Sequence, residues 1–458
     1  MMTHADRSNF DVRAEELAVP VLGPCVLPSP VATHLGSNAM TFVGAADKVL
    51  LDDSVSGLLA ARARAGGARG GDEVDLPAFE LAGPRDRIFF DPATVRCGIV
   101  TCGGLCPGIN NVIRGIVMEL AHGYGVRDVL GFRFGYEGLV ARIGQPPIAL
   151  TPEFVENIHH DGGTVLGSSR GSQDPVEVVD NLQAMGVDVL FVIGGDGSMH
   201  GALRFSAEIR RRGLAIAVVG VPKTIDNDIE FIDRSFGFLT AYSVSVEVIR
   251  SAHVEATGAR DGIGLVKLMG RQSGFLACQA ALANTDVDLV LIPEVPARLD
   301  GGDGVLAYVE RVLDRNGHAM IVVAEGAAQE GIADQQLAEA TDKSGNVRLK
   351  DVGVFLRDRI TSHFRQAGRD VTLKYIDPSY AIRSVPAEPS DSVFCWDMAR
   401  HAVHAAMAGN TEVLVGRWHG RFVHVPMALA IRGRKQVDPD GGLWMSVIEA
   451  TGQPRSFG

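Results

Sequence analysis

The chain has 458 residues, room for roughly two or three domains, and its 46% apolar residues describe a globular protein rather than a disordered one. Its formal net charge of −12 argues against a general affinity for nucleic acid or anionic membranes, so any anionic ligand must be met by cations gathered locally. No apolar run is long enough to cross a bilayer and the opening MMTHADRSNF has no secretory core, which together predict a cytoplasmic protein.

Residues 1–94 are loop-rich, with strands expected only around 18–28 and 86–90. A Gly/Ala/Arg stretch, AARARAGGARGGDE (60–73), predicts an exposed connector. From Val95 onward, short β-branched runs alternate with amphipathic stretches, the pattern of an α/β fold on mostly parallel sheets flanked by helices. VRCGIVT (95–101) predicts a buried strand that enters a Gly-rich turn and a helix over 109–122. VDVLFVIGG (187–195) predicts a strand followed by a helix from Met199 to Arg212, and LAIAVVGV (214–221) a third strand. An Asp-rich loop and a long helix over 238–256 come next. Later strands are expected at 263–268, 287–293 and 319–326. In such sheets ligands sit beyond the carboxyl ends of the strands, and the motifs cluster there.

Of the six cysteines, Cys102 and Cys106 form a C-x3-C pair, but no second pair or histidine cluster with zinc spacing accompanies them. They read as reduced thiols of a cytosolic enzyme.

TCGGLCPGIN (101–110) lies at a strand-to-helix junction and is not a Walker A loop, because no GK[ST] follows. It is either a structural tight turn or a cradle where backbone N–H groups meet phosphate. GGDGS (194–198) can admit a nucleotide phosphate with Asp196 on Mg²⁺, or can be an Asp cap in a Gly-rich turn. GGDG is similar to a motif of NAD and lipid kinases, so it suggests phosphoryl transfer without naming an acceptor.

PKTIDND (222–228) is more specific. Alternation along an extended loop is expected to place Thr224, Asp226 and Asp228 on one side, with Asp226 as the base that takes a sugar-hydroxyl proton. GSSR (167–170), MGRQSGF (269–275), AEG (324–326) and YIDPSYAIR (375–383) then supply Arg170, Arg271, Glu325, Tyr380 and Arg383, with Lys374 just ahead of the last. Guanidinium forks, an ammonium and a carboxylate are what an anionic sugar phosphate needs.

Those segments, in that order from about Arg87 to about Arg434, resemble the 6-phosphofructokinase family. RIFFDP (87–92), TCGG-x-CPG-x-N, GFLTAYSVSVEVI (237–249) and LKYIDPSYAIRSVPA (373–387) resemble its long atypical subgroup of plants and trypanosomatids. The resemblance implies two lobes of that family type with an N-terminal extension (1–94), whose position outside the motif-bearing region suggests oligomer contacts. It implies a nucleotide lobe (95–238, completed by part of 384–435), a sugar-phosphate lobe (239–383) and a C-terminal tail (436–458). By position it implies Gly104, Arg170, Gly171, Gly195, Asp196, Gly197 and Ser198 at ATP, with Asp196 on Mg²⁺. Thr224, Ile225 and Asp226 would line the acceptor end, and Met269, Gly270, Arg271 and Glu325 would hold the sugar. Tyr380, Ala381, Ile382 and Arg383 would complete the phosphate pocket, with Lys374 on the same phosphate.

Two departures stand out: the short enzymes carry histidine at Tyr380, and an intersubunit arginine at what aligns as Gly262, where Arg260 is out of register. A homotetramer or homodimer under allosteric control is still implied. The donor is contested at two positions. Pyrophosphate users carry aspartate where this chain has Gly197, but lysine where it has Lys223; the glycine leaves room for the α-phosphate and favours ATP. The expected reaction is in-line transfer to the 1-hydroxyl of fructose 6-phosphate. Asp226 would act as base, with Arg170, Thr224 and Lys223 at the reacting centre. The rivals are a pyrophosphate-dependent enzyme, an NAD-kinase-like enzyme and a non-catalytic regulatory paralogue.

Overall fold

A strand buried on both faces needs an unbroken apolar run, and VLFVIG and AVVGVP provide one: every residue in both is buried. A computed structural model describes residues 12–31, 42–64, 76–329, 332 and 349–457. Its strands are, in chain order, β1 (Leu27–Pro28), β2 (Lys48–Leu50), β3 (Ala78–Leu81), β4 (Arg87–Ile88), β5 (Arg96–Thr101), β6 (Asp128–Phe132), β7 (Ile148–Ala149) and β8 (Val189–Gly194). They continue as β9 (Ala217–Pro222), β10 (Gly262–Leu268), β11 (Leu289–Leu291), β12 (His318–Ala324), β13 (Thr372–Ile376), β14 (Val413–Trp418) and β15 (Arg421–Pro426). The helices that matter here are α1 (Ile109–Met118), α2 (Asp196–Arg211), α3 (Phe238–Thr257), α4 (Phe275–Leu282), α5 (Val352–Gln366), α6 (Ser379–Arg383), α7 (Pro389–Met407) and α8 (Gly442–Thr451).

A nine-stranded sheet runs β2-β3-β15-β14-β9-β8-β5-β6-β7. Its centre, β14-β9-β8-β5-β6, is parallel throughout, while β7 on one side and β15, β3 and β2 on the other are antiparallel. A four-stranded sheet, β11-β12-β10-β13, is parallel throughout. The largest core cluster runs through both lobes: Ile99, Phe191 and Val219 of the first sheet and Val266 and Met320 of the second belong to it. The TCGGLCPGIN, GGDGS, PKTIDND, MGRQSGF, AEG and YIDPSYAIR segments lie at the carboxyl ends of β5, β8, β9, β10, β12 and β13, the end of a parallel sheet where ligands bind.

Several expectations change. The helix predicted over 109–122 stays α-helical to Met118 and widens into a π-turn over Glu119–Tyr124, with Glu119 facing Arg400 at 3.4 Å. The helix expected from Met199 starts at Asp196, so GGDGS runs into its first turn. The early strands pair with each other as β1 and β4, while β2 and β3 join the large sheet through β15. Residues 60–64 of the expected connector end a helix, Val55–Arg64, and the rest of that stretch lies outside the described residues. The tail 436–458 is built into the second lobe: α8 buries Trp444, and Gln453 exchanges hydrogen bonds with the backbone N–H and carbonyl of Val290 at 2.7 and 3.1 Å.

Candidate active site

Three loops of the first lobe meet at one cation. The Lys223 ammonium, buried at the end of β9, donates to the Gly104 carbonyl at 2.6 Å, and the Lys223 backbone N–H donates to the Gly194 carbonyl at 2.9 Å. It thereby ties the 101–110, 194–198 and 222–228 segments together. Burial lowers its pKa below the ordinary lysine value. Gly103 sits at a φ of 86°, the left-handed region, which glycine adopts without strain. A side chain at Gly104 would lie 3.6 Å from both Arg170 Nη2 and Arg383 Nη1, so two guanidinium groups flank this backbone.

Those groups frame a cavity of about 600 Å³ lined by Gly103, Gly104, Thr164, Ser169, Arg170, Tyr380 and Arg383 among others. Arg383 lies over the Tyr380 ring at 4.8 Å, a cation–π contact. One cavity thus gathers residues that the motifs by themselves divide between donor and sugar phosphate.

The PKTIDND loop is not extended. Asp226 N–H bonds Thr224 Oγ1 at 3.0 Å, Thr224 Oγ1 donates to Asp228 Oδ1 at 2.9 Å, and Asn227 takes a φ of 55°. The turn, and not strand alternation, brings Thr224, Asp226 and Asp228 together. Asp226 Oδ1 is buried and has no hydrogen-bond partner. Its carboxyl is pushed up to about 8, by burial first and then by Asp228 and Glu325; Arg434 and Arg271 oppose the shift.

The second lobe meets this loop directly, since Ser273 Oγ donates to the Asp226 carbonyl at 3.0 Å. Gly270, at a φ of 128°, accepts from Gly326 N–H at 2.9 Å, which joins the MGR and AEG turns and sets Arg271 4.0 Å from Glu325. Gly195 caps α2, Asp196 opens it, and Ser198 is buried within its first turn. A Cβ placed on Gly197 would meet nothing within 4 Å, so the fold itself does not require glycine there. Gly171 takes a φ of 106° beside Arg170. Ile225 is buried and Met269 is half-buried against the core.

Three candidates stand apart. The Ile382 side chain is wholly buried in the core, and Ala381 is exposed. Lys374 lies 3.8 Å from Glu255 and is not among the residues lining the cavity. At Gly262 a Cβ would clash with the Ala256 carbonyl, so strand and helix touch there.

The motifs give no role to Arg434, which reaches Asp228 and Asp196 at 3.2 Å each. Its one signal in the sequence is a basic run, RGRK (432–435), in an acidic chain. Asp196 fits a hard divalent cation: a carboxylate at a helix start with open space beside it at Gly197. Among the described residues no three His, Cys, Asp or Glu group as a metal cage. Mg²⁺ does not ask for one, because one or two carboxylates and substrate phosphates ordinarily hold it. The six cysteines are all free, and no helix among the described residues is long and apolar enough to cross a membrane.

The phosphofructokinase family profile matches residues 96–406. The chain is 53% identical over 450 residues, 97% of its length and 96% of the relative's, to the ATP-dependent 6-phosphofructokinase of Amycolatopsis methanolica. It is 46% identical to the ATP-dependent 6-phosphofructokinase of Trypanosoma brucei brucei, covering 81% of this chain and 76% of that one. The solved pyrophosphate-dependent phosphofructokinase of Marinobacter aquaeolei shares the fold, with a TM-score of 0.64 at 18% identity over 80% of this chain and 93% of that one.

Proposed function

This chain belongs to the phosphofructokinase family, and from that premise we propose that it is an ATP-dependent 6-phosphofructokinase. It moves the γ-phosphate of ATP onto the 1-hydroxyl of D-fructose 6-phosphate and releases fructose 1,6-bisphosphate and ADP. The observation that supports the mechanism is the unpaired, buried Asp226 Oδ1, on the loop that Ser273 of the second lobe meets. A base with a raised pKa, close to working pH, combines proton affinity with a usable deprotonated fraction.

Asp226 takes the hydroxyl proton as the sugar oxygen bonds to phosphorus and the bond from phosphorus to the ADP oxygen breaks. Lys223 and Arg170 offset the negative charge on the equatorial oxygens, and the 103–104 backbone lets the phosphates approach. Thr224 orients the Asp226 loop, because its hydroxyl accepts from Asp226 N–H and donates to Asp228. Arg271 and Glu325 bind the sugar, while Tyr380 and Arg383 bind its phosphate. Mg²⁺ on Asp196 would supply charge neutralisation for the donor phosphates.

Two observations support ATP over pyrophosphate as the donor. Lys223 makes a structural bond to Gly104 that either donor can tolerate, whereas the open space at Gly197 is what an α-phosphate needs. The nucleotide lobe is 95–238 with part of 384–435, and the sugar lobe is 239–383. The protein works in the cytoplasm as an allosteric homotetramer or homodimer, with the N-terminal region contributing to subunit contacts.

A coupled assay for fructose 1,6-bisphosphate, with Mg²⁺ and fructose 6-phosphate, tests the donor. Turnover with ATP and none with pyrophosphate is expected; turnover with pyrophosphate alone would overturn the reading of Gly197.

A further inference from the structure

Arg434 lies on the strap 432–437 that leaves the first lobe after β15 and enters the second lobe. The strap is fixed just after it, first to one lobe and then to the other. Lys435 N–H bonds the Asp228 carbonyl at 3.0 Å and Lys435 Nζ bonds the carbonyls of Ile232 and Asp233 at 2.9 and 3.1 Å. Beyond it, Gln436 donates to the Gln272 carbonyl at 3.0 Å and Val437 N–H to Glu294 Oε1 at 2.8 Å. The guanidinium is thereby delivered between two carboxylates from separate segments, Nη1 to Asp228 Oδ2 and Nη2 to Asp196 Oδ2, each at 3.2 Å.

A single side chain therefore neutralises the carboxylate proposed for Mg²⁺ and the acidic partner of the proposed base. A divalent cation on Asp196 would stand within a few ångströms of this fixed positive charge, where like charges repel strongly. Next to the pair is a cavity of about 350 Å³ lined by Asp196, His200, Gln272, Arg434 and other strap residues, which gives the guanidinium space to turn away from Asp196.

We infer that Arg434 is a built-in cation that competes with the divalent metal for Asp196: it satisfies the empty site and yields that carboxylate, while keeping Asp228, when metal enters. The inference rests on the assignment of Asp196 to Mg²⁺ made above. It makes Arg434 a positioning residue. Coupling between two ligands of one group is reciprocal, so removing the internal cation must tighten the external one.

The test uses the full chain without nucleotide and titrates Mn²⁺, as the probe, by its free-ion electron paramagnetic resonance signal. Arg434→Met is expected to bind Mn²⁺ at least about 5-fold more tightly than the unaltered protein, the low end of ordinary coupling. Arg434→Lys, which keeps a charge but cannot fork to both carboxylates, should fall between them and covers the case in which the methionine variant does not fold. Asp196→Asn separates the two ideas. If it weakens Mn²⁺ binding while neither Arg434 variant tightens it, the metal assignment stands and the competition is refuted. If Asp196→Asn leaves Mn²⁺ binding unchanged, the metal assignment falls and the competition with it. No measurable binding to any of the four proteins also refutes the competition.

Discussion

At Asp226, one carboxyl is asked to be buried, unpaired and close to two other acids, which is costly in the resting protein and suits the base proposed for the reaction. Asp226→Ala or Asp226→Ser should lower kcat by about 100-fold or more with modest change in either KM, as steady-state kinetics would show. Its raised pKa also makes a stability prediction. Between its ordinary value of 3.8 and about 8 the folded protein holds a proton that the unfolded chain has lost, so stability falls as pH rises through that window. Asp226→Asn removes the titration. Its melting temperature should exceed that of the unaltered protein at pH 8 and converge with it at pH 4, whereas equal melting at both would deny the burial cost.

Gly197 is the converse case, a position where the fold tolerates a side chain and, on the proposed reading, the nucleotide does not. Gly197→Asp should melt normally, since nothing lies within 4 Å of its Cβ, and lose about 10-fold or more in kcat/KM for ATP through repulsion of phosphate.

Among the elements, β10 does more than carry the MGR turn. Lys267, buried within it, pairs with Asp377 at 2.7 Å and Asp351 at 3.2 Å, fixing the start of the segment proposed to bind the sugar phosphate and the cap of α5. Burial alone would lower its pKa, but these carboxylates overcome that and hold it above the ordinary lysine value. Lys267→Met leaves the acids facing each other and frees the 377–383 segment. The KM for fructose 6-phosphate should rise about 10-fold, with a smaller change in the KM for ATP. Equal changes in both would mean that the pair serves stability and not the sugar-phosphate pocket.

Across the whole molecule, β2 and β3 make the N-terminal region part of the first lobe's sheet. Phe79 of β3 is fully buried, Glu80 lies 3.5 Å from the buried His424 of β15, and Trp418 donates to the Leu51 carbonyl at 3.1 Å. Cutting the chain before Val95 would uncover the β15 edge and the apolar face beneath β3, and exposed edges pair with other chains. Such a truncation should be largely insoluble on expression; a soluble protein with normal melting would show that β2 and β3 are dispensable.

Local chemistry was enough for much of this protein. Short apolar runs rich in β-branched residues determine β5, β8, β9, β10 and β12 because burial on both faces selects them, and Gly-rich turns follow several of those strands. The order of motifs was enough to point to the family. What the sequence could not determine is which distant groups share a space. That Arg170 and Arg383 flank one glycine, that Ile382 turns into the core, and that β2 and β3 extend the sheet all depend on contacts between segments far apart in the chain. Arg434 is the clearest case: its basic run resembles any solvated surface patch until the strap, hydrogen-bonded to both lobes just beyond it, carries it between Asp196 and Asp228. Electrostatic interactions fall with distance in space and not with separation along the chain, so only the tertiary structure decides which charges meet.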